Sequence, residues 1–428
     1  MRDCVASSSY NKKVNSSTKS CRIIRYPDHK LKTDMMNPNA LKVVEKLASE
    51  GFEAFIVGGS IRDLLLNRVP KDFDVATNAN PLQIKSLFNR ARIVGRRFQI
   101  VHVKLNKQII EVTTFRSNNN DSLNDHRITT KNGMLTRDNA FGSLADDSIR
   151  RDLSINAFYY DPRDNTITDF TSGFSDIQES IVRIIGDATT RFREDPLRLL
   201  RVVRFASKLN FSIDSSTRAP MKRHGKNLRQ ISAPRLFDES LKLFMSGHGL
   251  KAFELLDEFD LIRYIFPRLL DRIDSNSLYF NIVHHALMNT DHRVENKQRV
   301  TPAFIFAAFL WPEVQANAKL HQRQGKTVRQ ALEYAADRAI DAQIKITAIP
   351  RRFTLSMREI WNLQISLERN VGARAQKLIY NPRFRAAYDF VLLREQAGEN
   401  LDGLGAWWTK YQISDEKTQS KMISTRKR

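Results

Sequence analysis

The apolar residues between Asn39 and Phe115 keep two different periods. Leu41, Val44, Leu47 and Ala48 fall on one stripe of a helix that begins near Asn39. Residues 53–57 form a short apolar run that reads as a strand entering Gly58-Gly59, and residues 61–66 as the helix after it. A strand over 72–76 and a helix over 81–88 follow. Ile93-Val94 and the segments 98–105 and 109–115 read as further strands, and the alternation of Val101, Val103 and Leu105 implies one buried face. Ile149, Leu153 and Ala157 then make a helical stripe within 149–158. Beyond about residue 185 the two-residue rhythm stops, and 195–209, 233–245, 250–259 and most of 300–396 pattern as amphipathic helices. The expected architecture is a mixed α/β domain followed by a long all-helical extension. Residues 1–37 show little apolar periodicity and read as a disordered tail. The polar stretch 117–139 is long enough to be a functional or disordered loop.

Composition narrows the class. A chain of 428 residues with 41% hydrophobic content supports two or three domains with real cores. Its formal net charge of +22 calls for a polyanionic partner, nucleic acid ahead of an anionic membrane. No apolar run approaches a membrane span, and residues 1–20 lack the apolar stretch of a secretory signal, so a cytoplasmic location is expected. The two cysteines, Cys4 and Cys21, both lie in the tail, which excludes a disulfide-stapled core and a Cys-based zinc site.

The chemistry concentrates around Asp72 and Asp74. Residues two apart on a strand point to one face, so both carboxylates converge and offer hard oxygen ligands to a divalent cation. Upstream, Gly58-Gly59-Ser60-Ile61-Arg62-Asp63 joins a strand to a helix, where glycine lets backbone N–H groups approach a phosphate. No Gly-Lys-Ser/Thr follows, so this is not a Walker loop. Either feature alone would be a plain turn or a solvated strand end. Together they suit a magnesium-dependent phosphoryl or nucleotidyl transfer.

The ordered series Gly-Gly-x-x-Arg-Asp, Lys71-Asp72-Phe73-Asp74, Arg150-Arg151-Asp152-x-x-x-Asn156 and Glu194-Asp195-Pro196-Leu197-Arg198 resembles the bacterial tRNA nucleotidyltransferase and poly(A) polymerase family, within the polymerase-β-like nucleotidyltransferases. The segment from Ile93 to Val103, with Arg96-Arg97-Phe98, resembles the bacterial poly(A) polymerase branch. So do Pro350-Arg351-Arg352, the run from Pro382 to Phe390, and Trp407-Trp408. A long basic C-terminal tail is common in that branch, whereas here only Lys421 and Arg426-Lys427-Arg428 remain.

The resemblance implies an α+β chain: a nucleotidyltransferase head over 38–184, a helical neck over 185–267 for the base and RNA, a helical RNA-binding body over 268–412 and a basic tail over 413–428. It implies template-independent addition of AMP from ATP to RNA 3′ ends with Mg²⁺ (Mn²⁺ as the alternative), in mRNA processing and decay; protein partners are not readable from the sequence. Asp72 and Asp74 are then the metal ligands and, with Asp152, the catalytic carboxylates. Glu111, on a neighbouring strand, rivals Asp152 as the third acid. Nucleotide binding falls to Gly58, Gly59, Ser60, Arg62, Arg151, Asn156, Asp195 and Arg198, and RNA binding to Arg96, Arg97, Arg201 and Arg204. A CCA-adding enzyme and a non-catalytic RNA-binding protein are the competing readings.

Several residues have plainer explanations. Asp195-Pro196 reads as a cap and first position of a helix whose apolar stripe is Leu199, Val202, Val203 and Ala206. Its basic stripe, Arg198, Arg201, Arg204 and Lys208, repels itself unless an anion partners it. In the family Asp195 and Arg198 face the incoming base, so Arg198 is expected on the polar face. His284-His285 and Asp291-His292 lack metal-ligand spacing, and Trp361, Trp407 and Trp408 read as packing residues. Residues 319–410 carry 16 Lys/Arg against 9 Asp/Glu, which fits a sequence-independent grip on phosphates.

Overall fold

A computed structural model describes residues 21–95, 99–117, 127–129, 135–138, 141–270, 278–369 and 373–425. The chain divides into two compact units, one running to Ala206 and including Asn210–His224, the other comprising Ser207–Leu209 and Gly225–Arg428.

The first unit is built on one sheet. Its strands are β1 (Arg22–Arg25), β2 (Ala54–Val57), β3 (Asp74–Thr77), β4 (Ala91–Val94), β5 (Ile100–Leu105) and β6 (Gln108–Thr114). After a separate hairpin of β7 (Arg127–Thr129) and β8 (Leu135–Asp138) come β9 (Phe158–Asp161) and β10 (Thr166–Asp169). The eight-stranded order is β1-β10-β9-β2-β3-β6-β5-β4. Every neighbouring pair is antiparallel except β3 with β6. Period-two alternation gives each strand two different faces. Ala54, Ile56, Val75, Val101, Val103, Ile110, Val112 and Tyr160 share a core with residues of α1 (Pro38–Ser49), among them Ala40, Val43, Val44 and Leu47. On the other face Phe55, Val57, Ala76, Phe115 and Tyr159 form a smaller cluster. Asn37 starts α1 by accepting from Asn39 N (2.8 Å) and Ala40 N, with Pro38 behind it.

Four sequence expectations need correction. The tail does not extend to residue 37 as disorder: β1 pairs with β10, and Ile24, Leu31 and Met36 enter the main core. Three apolar residues at irregular spacing leave no periodicity, yet an edge strand needs only one buried contact. The second strand begins at Asp74, not Asp72, and Asp72 is an exposed residue leading into it. The helix expected over 149–158 does not form. Instead α4 (Leu144–Arg150), which follows α2 (Gly59–Leu65) and α3 (Pro81–Leu87), ends before a short 3-10 turn at Ser154–Asn156 and then β9. Arg191 explains the stop, because its Nη2 donates to the carbonyls of both Arg150 (2.6 Å) and Arg151 (2.5 Å). The polar stretch 117–139 is not wholly loop, since it contains β7 and β8.

The unit continues with α5 (Gly173–Gln178), β11 (Ile181–Val182), α6 (Ala188–Glu194) and α7 (Leu197–Leu209), and β12 (Ser212–Ile213) pairs with β11. Asp195 is extended, and its carboxylate accepts from Leu197 N (3.3 Å), ahead of Pro196 whose dihedrals are already helical. Two short helices, α8 (Ser215–Arg218) and α9 (Met221–His224), close it.

The second unit is helical: α10 (Ala233–Phe244), α11 (Gly249–Glu258), α12 (Ile262–Ile265), α13 (Pro267–Leu270), α14 (Leu278–Glu295), α15 (Pro302–Arg323), α16 (Val328–Ile344), α17 (Arg351–Glu368), α18 (Ala373–Ile379), α19 (Phe384–Gln396), α20 (Leu404–Ile413) and α21 (Glu416–Thr425). Trp361 and Trp408 are fully buried and donate to the carbonyls of Ala307 and Leu367, so they are core residues. Asp291 accepts from Gly249 N (2.7 Å) and Leu250 N (2.9 Å), which makes it a cap on α11 supplied by α14.

Asp291→Ala leaves those two N–H groups without their acceptor. It should cost about 1–2 kcal/mol in urea unfolding. An unchanged midpoint would show that the cap contributes nothing.

Candidate active site

The strand registers place one row of side chains across the sheet. Tyr159 on β9 pairs with Val57 on β2, Val57 with Asp74 on β3, Asp74 with Glu111 on β6, Glu111 with His102 on β5, and His102 with Arg92 on β4. These residues lie on the face opposite the main core. The row orders the site: glycine turn, carboxylates, then a basic edge. His102 Nε2 stands 3.5 Å from Glu111 Oε1.

Asp74 is the perturbed member. Burial, then the negative charges of Glu111 and Asp72, push its carboxyl up to about 6, while Arg151 acts in the opposite direction. Like charges drawn together and partly dehydrated are a donor set that a hard divalent cation would satisfy. Among the described residues no three His, Cys, Asp or Glu side chains form a closed ligand cage. One or two carboxylates suffice for a hard divalent cation whose shell is completed by water and substrate phosphate.

The glycine turn faces two guanidiniums. Gly58 has φ +75°, and a Cβ there would lie 3.2 Å from Arg151 Nη1; a Cβ on Gly59 would lie 3.4 Å from Arg62 Nη2. Arg151 is fixed by Tyr159 Oη (2.9 Å) and Asp147 Oδ2 (3.1 Å), and Tyr159 Oη donates to the same Asp147 oxygen (2.6 Å). Burial alone would lower the Arg151 pKa, but Tyr159 and Asp147 raise it above its ordinary value, so the guanidinium stays charged. Arg62 is buried, donates to Asp63 and to Asn156 Oδ1 (2.5 Å), and lies over the Phe205 ring at 4.8 Å. Ser60 is also buried, and its hydroxyl donates to Val57 O (3.2 Å), so it finishes the turn internally.

Asp152 is linked to the glycine turn through Asn156, which also accepts from Arg62. It accepts from Arg201 Nη1 (3.1 Å), Asn156 Nδ2 (3.3 Å) and its neighbour Leu153 N (2.8 Å). Burial would raise its pKa. The Arg201 guanidinium, those hydrogen bonds and Arg198 overcome that and hold it at about 2. The carboxylate that the strand register puts beside Asp74 is that of Glu111. Arg201, expected at RNA, spends Nη1 on Asp152.

Arg198 also departs from expectation. It is 9% exposed, and Nη1 donates to Arg191 O (2.9 Å) and Glu194 Oε2 (2.8 Å). Glu194 also takes Arg191 Nη1 at 2.9 Å. Burial, then the charge of Arg198, lowers Arg191 to about 10. Asp195 is buried next to Arg198, and Arg204 lies over the Phe205 ring at 4.5 Å. Arg96 and Arg97 lie outside the described residues. Sequence reasoning missed Arg191, Asp147 and Tyr159, whose partners are a distant carbonyl pair or one another, and missed His102 and Arg92, which only the register brings into line.

Three family models match: the Poly A polymerase head domain over residues 54–183, the probable RNA and SrmB-binding site of polymerase A over 210–272, and the polymerase A arginine-rich C-terminus over 324–428. Poly(A) polymerase I of Salmonella typhi is 43% identical over 409 residues, 94% of this chain and 88% of that protein. Poly(A) polymerase I of Haemophilus influenzae is 41% identical over 397 residues, 91% and 88% of the two chains. A CCA-adding enzyme of Leuconostoc citreum is 38% identical over 226 residues, 53% of this chain and 54% of that protein. The solved Thermotoga maritima CCA-adding enzyme complexed with tRNA shares the fold at TM-score 0.61 and 18% identity, covering 92% of this chain and 88% of that one.

Asp74→Asn gives a signed test of the charge cluster. A carboxyl raised from 3.8 to about 6 destabilises the fold when ionised, fully above pH 6 and not at all below its unfolded value. In metal-free buffer the variant should melt higher than wild type at pH 7–8, with the gap closing between pH 6 and 4. A gap that widens as pH falls would refute the assignment.

Proposed function

Because the chain belongs to the bacterial poly(A) polymerase family, we propose that Asp72 and Asp74 hold its catalytic divalent metal as Mg²⁺ and that the ATP triphosphate lies at the Gly58-Gly59 turn. The enzyme is a template-independent polynucleotide adenylyltransferase that joins AMP from ATP to RNA 3′ ends and releases pyrophosphate. The observation that carries the site assignment is the in-register pair Asp74 and Glu111 next to a glycine turn flanked by Arg151 and Arg62.

The RNA 3′-oxygen forms a bond to the α-phosphorus as the bond to the pyrophosphate oxygen breaks, and the hydroxyl proton passes to water. The bound cation would neutralise phosphate charge and acidify the 3′-hydroxyl. Arg151, kept charged and immobile, faces the β- and γ-phosphates with Arg62 behind it, so positioning and charge are set before the reaction. Glu111 completes the carboxylate cluster. Asp152 anchors Asn156 and Arg201, and thereby the turn that carries Arg151. Asp195 and Arg198 present the adenine-selecting edge, with Arg198 held by Glu194 and Arg191 O, and Arg96, Arg97 and Arg204 contact RNA. Residues 38–184 then serve catalysis, 185–267 the base and RNA, and 268–412 the RNA.

The decisive assay incubates the purified chain with a short RNA, Mg²⁺ and each NTP separately. ATP alone should support long extension. Preferred use of CTP would favour CCA addition, and no incorporation at all would favour a binding protein. Asp72→Ala and Asp74→Ala should each lower kcat by about a thousandfold or more with RNA affinity retained. Glu111→Gln should cost more activity than Asp152→Asn. The reverse order would return Asp152 to the metal.

A further inference from the structure

The row across the sheet continues past the carboxylates to a basic margin that the reaction as described does not use. Arg92 lies on the edge strand β4 and is exposed. Its register partner is His102, one strand from Glu111 and two from Asp74. Lys104 is exposed two residues along β5 from His102, on the same face. Neither Arg92 nor Lys104 has an ion pair among the described residues. The neighbouring positions Ile93 and Val101 turn to the core side, which fixes Arg92, His102 and Lys104 on the catalytic face.

We propose that Arg92 and Lys104, with His102 between them and Glu111, form the track for the RNA primer, binding the phosphates immediately behind its 3′-hydroxyl. The inference rests on the nucleotidyl-transfer reading and deepens it. In-line displacement puts the attacking and leaving oxygens on opposite sides of the α-phosphorus. The Gly58 turn and Arg151 lie on the β2 side of Asp74, so pyrophosphate departs there. The 3′-hydroxyl must then arrive from the β6 side, across Glu111. Strands are spaced by about 4.8 Å, so Arg92 stands roughly 14 Å from Asp74, the reach of a strand lying across the sheet rather than of the reacting group. Two cations on an otherwise solvated face complement a polyanion, and reading no base edge suits a polymerase that must accept its own growing tail.

A plainer reading exists. Charges on an edge strand discourage strand-to-strand pairing, and either sign serves. Charge reversal separates the two. Arg92→Glu/Lys104→Glu should raise the KM for an RNA primer by about fivefold or more, with the KM for ATP unchanged. The paired alanine variant should flatten the dependence of log K on log salt by about 0.7 for each lost contact to a single strand. Replacing the first two phosphodiesters behind the 3′ end by methylphosphonates should weaken wild type and add nothing to the double variant. Lys85→Ala, on the exposed side of α3, is the control and should leave the salt slope unchanged. An active wild type with an unchanged primer KM in the reversed variant would overturn the track, whether the face then guards an edge or meets a protein. A wild type that adds no AMP would instead overturn the reading beneath it.

Discussion

Two carboxylates in register across the parallel pair β3–β6 set the terms for the catalytic unit. Asp74 and Glu111 repel each other, and Asp74 is partly dehydrated as well, so its charge is resisted by the fold. The charge of Arg151 acts against that repulsion, and Tyr159 and Asp147 hold its guanidinium in place. Asp147 in turn is tied to Arg116 N, and the carbonyls of Arg150 and Arg151 are held by Arg191. The destabilisation at the carboxylates is thus carried by a chain of hydrogen bonds that runs from the sheet to α6. On the proposed assignment the cost of such a cluster is offset by the cation and triphosphate it binds.

The same side chain serves opposite purposes a short distance away. Asp74 and Asp152 start from one intrinsic acidity, yet one is pushed to about 6 and the other held at about 2. Burial acts on both in the same direction. The difference is the neighbours: carboxylates around Asp74, guanidiniums and hydrogen-bond donors around Asp152. The first, on the assignment proposed above, takes up a cation, whereas the second is already satisfied by Arg201, Asn156 and Leu153 N. Arg198 follows the second pattern, since a buried guanidinium bound to a carboxylate and a carbonyl is preset in orientation. A preset polar edge can select a base without a template, because a wrong base would leave its donors unpaired.

The linear chain determined a good deal. Period-two runs give the strands, long 3.6-residue stripes give the helices after residue 185, and Asp74 on its strand, the glycine turn and the helix that follows Asp195-Pro196 are local patterns that survive in the fold. Those features are legible because each depends on residues within one turn or one strand. The errors lie where partners are remote. Nothing near 149–158 reveals that Arg191 will take the carbonyls of Arg150 and Arg151 and stop the helix. Nothing near residue 24 reveals the edge of β10 that orders it. The commitment of Arg201 to Asp152 needs α7 packed back on the head, and the placing of Glu111, His102 and Arg92 in line with Asp74 follows from register between strands far apart in sequence, which is decided by which faces are buried.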